Sequence, residues 1–418
     1  MAVANHAAPT RLVGGERDSV GRVDDAGPLS DILVVDLTRA LAGPQAAMML
    51  GDLGARVIKV ESADGDDTRA WGPPWASAGD GPDDARDSTY FMAANRNKES
   101  IVLDLKSARD VRTLARLLAR ADVLLENFRI GVLDRLGLTE EGLHALNPQL
   151  VIGRITGFGH DGPEGHRAGY DQIAQGEGGL MSVTGTDVPT KVGVPVADLV
   201  AGMNLAYGVV AALHERHRTG RGRVVRTSLL AGVVGLHAFQ GTRWTIAGEV
   251  PGLSGSHHPA IAPYGLFATG SAPIQVCVAS EGLWRTFARL TGLDADDPRW
   301  RTNRERVAAG RALIDEIEAI LADRPAEDWL ELLVAAGVPA GKVRSIDDVL
   351  TWEQTLSQGL VLDVDHPAYG RLRLPGSPLR FDDHRHSGGR SEHLPPPLLD
   401  QHGAAIRAWL DRDGDDEP

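Results

Sequence analysis

Two periodicities alternate along the chain from Ile32 onward. Ile32–Leu37 is a short apolar run rich in β-branched residues, followed by Gly43-Pro44 and a helical stretch over Gln45–Leu53. Arg56–Glu61 and Ile101–Leu105 read as further strands. Between them and the next strand, Val111, Leu114, Leu117 and Leu118 recur at helical spacing, which predicts a helix over 107–121. Asp122–Asn127 and Val151–Thr156 are again strand-like, with a helix between them near 139–147. Strands alternating with helices imply βαβ units and a parallel sheet. A long helix is expected over Leu199–Arg218, stopped at Thr219-Gly220.

The texture changes after about 225. Residues 240–263 are rich in Gly, Ser, His and Pro and read as a linker or an active-site loop. Tyr264–Thr269 and Ile274–Ala279 are spaced as a hairpin. Helical stretches follow near 281–291, 311–323 and 326–336, the second with Ile314, Ile317 and Leu321 on one face. Short strand runs broken by Pro and Gly occupy 360–385, and a last helix is expected over Gly403–Leu410. The division that follows is a flexible arm at 1–27, a large α/β domain at 28–225 completed by 395–418, a linker at 226–257, a smaller α+β domain at 258–345, and a return linker at 346–394.

Composition narrows the partners. The chain has 418 residues, a net charge of −14 and a pI near 5.4. A general nucleic-acid or acidic-membrane partner would call for a basic surface instead. A small polyanion in a local basic site remains compatible. The single cysteine, Cys277, sits in the apolar run Ile274–Val278 and allows no intrachain disulfide, which fits a cytoplasmic protein. No uninterrupted apolar stretch reaches the roughly 20 residues that span a bilayer, and Met1 to Gly27 lacks a signal-peptide core. The acidic end, Asp411 to Pro418, reads as a solvated tail. No cluster has metal-ligand spacing; His384, His386 and His393 read as solvated.

The most informative stretch for chemistry runs from Gly157 to Gln175. A Gly-rich loop follows the strand Val151–Thr156 and leads into a helix near Asp171. The carboxyl end of a parallel strand, feeding a loop and then a helix, is where α/β proteins place ligands. Taken alone, Asp171 could equally be a helix cap below a flexible loop.

Gly169-Tyr-Asp171 with Gln172 and Gln175 resembles the active-site signature of class III (CaiB/BaiF-like) CoA-transferases, the family of formyl-CoA:oxalate and carnitine CoA-transferases. The resemblance continues through Leu29–Arg39 with Ala42-Gly-Pro44, Leu53–Glu61, Asn95–Lys98 with Ile101–Lys106, and Glu126–Arg129 with Gly131. Gly193–Asp198, Thr219–Gly222, His258-Pro259 with Pro263-Tyr264, Gly337–Gly341 and Asp365–Pro367 follow in order. Each motif is weak by itself. So many in one order, from about 28 to 410, are specific.

The resemblance implies a Rossmann-like parallel-sheet large domain plus a smaller α+β domain, joined by long linkers in an interlocked homodimer. It implies Asp171 as a carboxylate nucleophile that passes CoA from an acyl-CoA donor to a carboxylic acid acceptor through an aspartyl-CoA thioester. CoA is then a substrate, and no metal is needed. It places CoA contacts at Arg39, Ala40, Leu41, Ala42, Leu103, Lys106, Asn127, Phe128 and Arg135, with Tyr170 beside the nucleophile. The α-methylacyl-CoA racemase branch of the family is the nearest alternative. Its members carry His where this chain has Tyr170, and a phenol is a poor base at neutral pH. A CoA-binding protein without turnover is a further alternative, but it has no need of a carboxylate at the thioester. Two departures from the family pattern stand out. Gly252–Pro259 holds only two glycines where the oxalate-acting members carry a glycine lid, and Asp400 stands where Gly is expected.

Overall fold

A computed structural model of the chain describes residues 27–77, 86–381 and 388–412. The N-terminal arm up to 26, His384, His386 and the end of the acidic tail lie outside the described residues. The large domain runs β1 (Leu33–Asp36), α1 (Ala42–Asp52), β2 (Arg56–Glu61), β3 (Trp75–Ser77), β4 (Arg86–Ser88), α2 (Thr89–Ala94), β5 (Lys98–Val102), α3 (Ala108–Arg120) and β6 (Val123–Glu126). It continues through α4 (Val132–Arg135), α5 (Glu140–Leu146), β7 (Val151–Thr156), α6 (Asp171–Glu177), α7 (Val196–Thr219), β8 (Val224–Ser228), α8 (Leu229–Leu236) and α9 (Ala238–Ala247).

Six of these strands form one parallel sheet in the order β5-β2-β1-β6-β7-β8. Counted along the chain that is 3-2-1-4-5-6, the doubly wound order. Its topological switch point falls between β1 and β6. Both faces are covered, as a parallel sheet requires. Val34, Val57, Val123 and Val151 point to one face and meet α1, α7 and α8. Val35, Ile58, Leu124 and Ile152 point to the other and meet α3, α5 and α16 (Gly403–Arg412), the last helix of the chain. Alternate side chains of each strand thus enter different cores. From α16, Ile406, Trp409 and Leu410 fill the second core, and Arg56 stacks over Trp409 with its guanidinium 4.5 Å from the ring centroid.

Helix α7 starts three residues before its expected first turn and ends at Gly220 in the left-handed conformation, φ 66°. It is long and apolar enough to cross a membrane by length and composition. In the fold, its Ala197, Ala201, Leu205, Val209 and Leu213 are buried against the sheet, so it is the central core helix. The stretch read as a linker at 226–257 contains α8 and α9. Their sequence is apolar at nearly every turn, and the Gly and His residues among those turns hid the helical period.

The smaller domain pairs β9 (Tyr264–Phe267) with β10 (Ile274–Cys277) antiparallel, as the sequence spacing indicated. Helices α10 (Glu281–Thr291), α11 (Asn303–Ala309), α12 (Arg311–Leu321) and α13 (Ala326–Ala335) cover this sheet, and β11 (Ala340–Lys342) completes it. Trp284, Phe287, Trp300 and Trp329 anchor its core with Leu313, Ile317 and Leu321. Cys277 is free and half-buried at the edge of that core. Helices α14 (Ile346–Thr351) and α15 (Glu353–Ser357) and the hairpin β12 (Val361–His366)–β13 (Gly370–Pro375) then lead the chain back. Asp400 adopts a positive φ of 56°, which accounts for the glycine expected there. Its carboxylate accepts the Val102 N–H at 2.7 Å.

Candidate active site

At the switch point the ends of β1 and β6 are tied together. The Arg39 N–H donates to Asn127 Oδ1 at 2.9 Å, and Asn127 Nδ2 donates back to the Arg39 carbonyl at 2.8 Å. The next residue, Ala40, is held in the left-handed region, φ 64°. That conformation costs a non-glycine residue on the order of 1–2 kcal/mol, and such strain concentrates at functional sites.

A buried ionic layer holds this loop from below. Lys59 donates to the Thr38 carbonyl and to Asp66, both at 2.9 Å, and Lys98 reaches Asp36 at 3.0 Å. Arg69 grips Glu61 through two 2.9 Å bonds and also meets Asp87. Burial by itself would raise the Asp36 carboxyl. The ammonium groups of Lys98 and Lys59 outweigh burial and hold it below the ordinary aspartate value. Burial likewise opposes the charge on Asp66, and Lys59 reverses the effect. The motifs around Lys59 and Lys98 therefore build the floor of the site and do not face a ligand.

Above this floor lies an open cavity of about 450 Å³. Arg39, Ala40, Leu41 and Ala42 line it from the β1–α1 turn. Asn127 and Phe128 line it from the end of β6, and Tyr170 from the approach to α6. The Arg39 guanidinium lies 5.8 Å from the centre of the Phe128 ring, a cation–π distance. Three expected contacts fall outside this wall. Leu103 is fully buried in the core between the sheet and α3, while Lys106, after β5, and Arg135, on α4, are exposed and line no part of the cavity. The Asn127 amide, expected as a CoA contact, spends its oxygen and nitrogen on the Arg39 backbone.

The Gly-rich loop is pinched at its base. A Cβ on Gly157 would sit 2.6 Å from the Gly169 nitrogen, and one on Gly169 would sit 2.7 Å from Gly157 Cα. Only glycine at both positions permits this backbone contact. The pinch returns the chain to the carboxyl end of β7 and sets Tyr170 in the cavity wall, with Asp171 directly after it at the start of α6. Tyr170 is 65% exposed, so its ring is free to meet a ligand.

Two N–H donors aim the Asp171 carboxylate. Gln175 Nε2, one helical turn on, donates to Oδ2 at 2.8 Å, and the Ala197 backbone N–H at the start of α7 donates to Oδ1 at 2.8 Å. Gln175 is itself fully buried, and its Oε1 accepts the Val192 N–H at 2.9 Å, which fixes the amide's orientation. Sequence reading quoted Gln175 only as part of a motif. The i,i+4 spacing from Asp171 was the signal that could have assigned its role. Asp198 and Arg129, quoted from sequence only within motifs, also line the cavity, together with His166 and Trp71. Among the described residues no group of three metal-binding side chains occurs.

The comparisons with known proteins agree with this geometry. The family model described as CoA-transferase family III matches residues 29–403. The mouse (Mus musculus) succinyl-CoA:glutarate CoA-transferase is 37% identical over 94% of this chain and 89% of its own. The acetyl-CoA:oxalate CoA-transferase of Acetobacter aceti is 36% identical, over 91% and 95%. The crystal structure of a CaiB/BaiF family protein from Brucella suis superposes with a TM-score of 0.81 at 38% identity, covering 92% of this chain and all of that one. With a parallel-sheet fold, a signature aspartate at the carboxyl end of β7 and matches over nearly the full length, this chain belongs to CoA-transferase family III.

Proposed function

We propose that this protein transfers coenzyme A from an acyl-CoA thioester to a free carboxylic acid through an aspartyl-CoA thioester on Asp171. The observation that carries this reading is the clamped, half-buried Asp171 carboxylate, which follows Tyr170 of the cavity wall and is bonded to the backbone next to Asp198, another wall residue. A carboxylate nucleophile must be fixed in place and still reachable, and two N–H donors from α6 and α7 fix it without a cation.

An Asp171 oxygen attacks the donor's thioester carbonyl; the C–S bond breaks and CoA leaves through its sulfur, with a mixed anhydride on Asp171. The CoA sulfur then attacks the Asp171 carbonyl and releases the donor acid. The acceptor carboxylate then attacks the aspartyl-CoA, and the same two steps in reverse order give the new thioester. Each tetrahedral state carries an oxyanion that N–H donors stabilise. Arg39 and Arg129 line the cavity and pair with no carboxylate among the described residues, so they are available to CoA phosphates or to a second carboxylate of an acid substrate. The named relatives act on succinyl-CoA, glutarate and oxalate, and short dicarboxylic acids are accordingly the first substrates to try.

The test combines a panel of acyl-CoA donors and acid acceptors, read by mass spectrometry, with hydroxylamine trapping. Trapping during turnover should convert Asp171 to a hydroxamate, and Asp171→Asn should abolish exchange while retaining CoA binding. Full activity in Asp171→Ala would sink the mechanism.

The same reading takes the working unit to be a homodimer acting in the cytoplasm. Tyr207 on α7 is 78% exposed, Ile246 on α9 is 82% exposed, and Phe239 and Trp244, also on α9, are half-exposed. Apolar groups of this size left bare on one chain call for a second chain. A monomer in sedimentation at low concentration would refute it.

A further inference from the structure

We propose that Asp198 is a second catalytic carboxyl, one that donates a proton to the CoA sulfur as it leaves and recovers it when the sulfur attacks again. The inference rests on the transfer reading above and assigns it a residue.

Asp198 lines the same cavity from the first turn of α7. The residue before it, Ala197, gives its N–H to Asp171, so one stretch of backbone positions both carboxyls. Each deeply buried carboxylate among the described residues has an answering cation: Asp36 has Lys98, Asp52 has Arg96, Glu61 and Asp87 have Arg69, Asp66 has Lys59, and Glu126 has Arg154. Among the described residues, Asp198 has neither a hydrogen bond nor an ion pair. A half-buried carboxyl left without donors beside a cavity suits a group that works as an acid.

The neighbours decide which carboxyl keeps the proton. Two carboxyls close together do not both ionise readily. The amide donors of Gln175 and Ala197 both go to Asp171 and none goes to Asp198. Burial first, and the Asp171 charge second, push Asp198 up to about 7. Tyr90 on α2 faces both carboxyls; burial and the charges of Asp198, Asp171 and Asp66 push its hydroxyl up to about 12, so it adds no competing anion. The cavity is also lined by Asp67, His166 and the cations Arg39, Arg129 and Arg167. Arg167 is occupied by Glu177 and Glu164.

The proton count closes. When Asp171 attacks, the thioester C–S bond breaks and the Asp198 O–H passes its proton to sulfur, leaving a thiol and an Asp198 carboxylate. That carboxylate removes the proton again as sulfur attacks the Asp171 anhydride, and the donor acid leaves as its anion. No net proton is consumed.

The test compares the pH dependence of CoA transfer for wild type and Asp198→Asn, alongside infrared difference spectra of protein carrying ¹³C-labelled aspartate. Asn is neutral and nearly isosteric, so the variant removes an uncompensated buried charge and should fold. Wild type should lose activity on the alkaline side with a midpoint near pH 7. Asp198→Asn should lack that limb and show kcat lower by roughly 10²-fold. A protonated carboxyl band should titrate near the same pH in wild type and be missing in the variant. An unchanged alkaline limb in the variant, or no protonated band in wild type at pH 6, would overturn the proposal. The band needs no turnover. A titrating band in a wild-type protein that moves no CoA would therefore sink the transfer reading and leave Asp198 as a proton-bearing carboxyl.

Discussion

Arg39 and Asn127 exchange two hydrogen bonds, backbone N–H to side-chain oxygen at 2.9 Å and side-chain N–H to backbone carbonyl at 2.8 Å, across the point where the sheet reverses its winding. The pair holds shut the seam between β1 and β6 that would otherwise splay beneath the cavity. Each such bond contributes about 1 kcal/mol. Asn127→Ala should therefore cost about 1–2 kcal/mol in urea unfolding. It should also raise the Kd for CoA by roughly tenfold, because the Arg39–Ala42 wall loses its anchor. Binding unchanged from wild type in calorimetry would show that the wall is held from elsewhere.

Gln175 is expected to matter through Asp171 alone, since its amide is buried and faces no open space. Gln175→Leu keeps the bulk and removes the donor. We expect kcat to fall by about 10²-fold, the scale of one lost donor at a reacting oxygen, with the Kd for CoA little changed. Gln175→Glu should be worse, because it sets a second negative charge against the nucleophile. Single-turnover assays separate these effects from binding, and a selective rise in Kd would show that Gln175 shapes the pocket.

The exposed residues Lys106 and Arg135 make a different prediction. As solvated cations they act on CoA phosphates through a screened field. Lys106→Ala and Arg135→Ala should each weaken CoA binding more at low salt than at high salt. Wild-type binding by both variants across a salt series would move the phosphate site to Arg39 and Arg129.

Transfer without racemisation is expected. A racemase needs a base on each face of the α-carbon. Tyr170 occupies the position before Asp171, and His166 reaches the cavity only from the preceding loop. Incubation with a 2-methylacyl-CoA in deuterium oxide should leave the α-carbon protiated, while addition of a free acid should move the CoA. Rapid deuterium uptake without acceptor would favour racemase chemistry.

Stability should fall at both ends of the pH range for opposite reasons. Asp36, Glu61 and Asp66 have folded pKa values below their ordinary 3.8 to 4.5. Their contribution is complete above that range and is lost as pH falls through the folded values, so unfolding should set in below about pH 4. Asp198 is raised, from 3.8 to about 7. The folded state binds its proton more tightly, so the stability it contributes is present at low pH and is lost as pH rises from 4 to 7. Asp198→Asn should accordingly raise the melting temperature at pH 8 more than at pH 5. Equal shifts at the two values would contradict the assignment.

The sequence by itself determined the strand–helix alternation of the large domain, the hairpin and helices of the smaller one, and Asp171 as the residue to watch. These are local matters: the period of apolar residues follows backbone geometry, and the 157–175 signature is contiguous. Helices α8 and α9 were hidden, because their apolar residues face in several directions and the helical period is lost when more than one side is covered or awaits a partner. Tertiary structure alone decided the rest. It brought Asn127 to Arg39 across 88 residues, buried Lys59 and Lys98 as the floor of the site, and placed Leu103 in the core. It also set Asp198 beside Asp171 with no donor of its own, because whether a carboxyl is paired depends on which distant groups the packed chain delivers to it, and no spacing along the sequence records that.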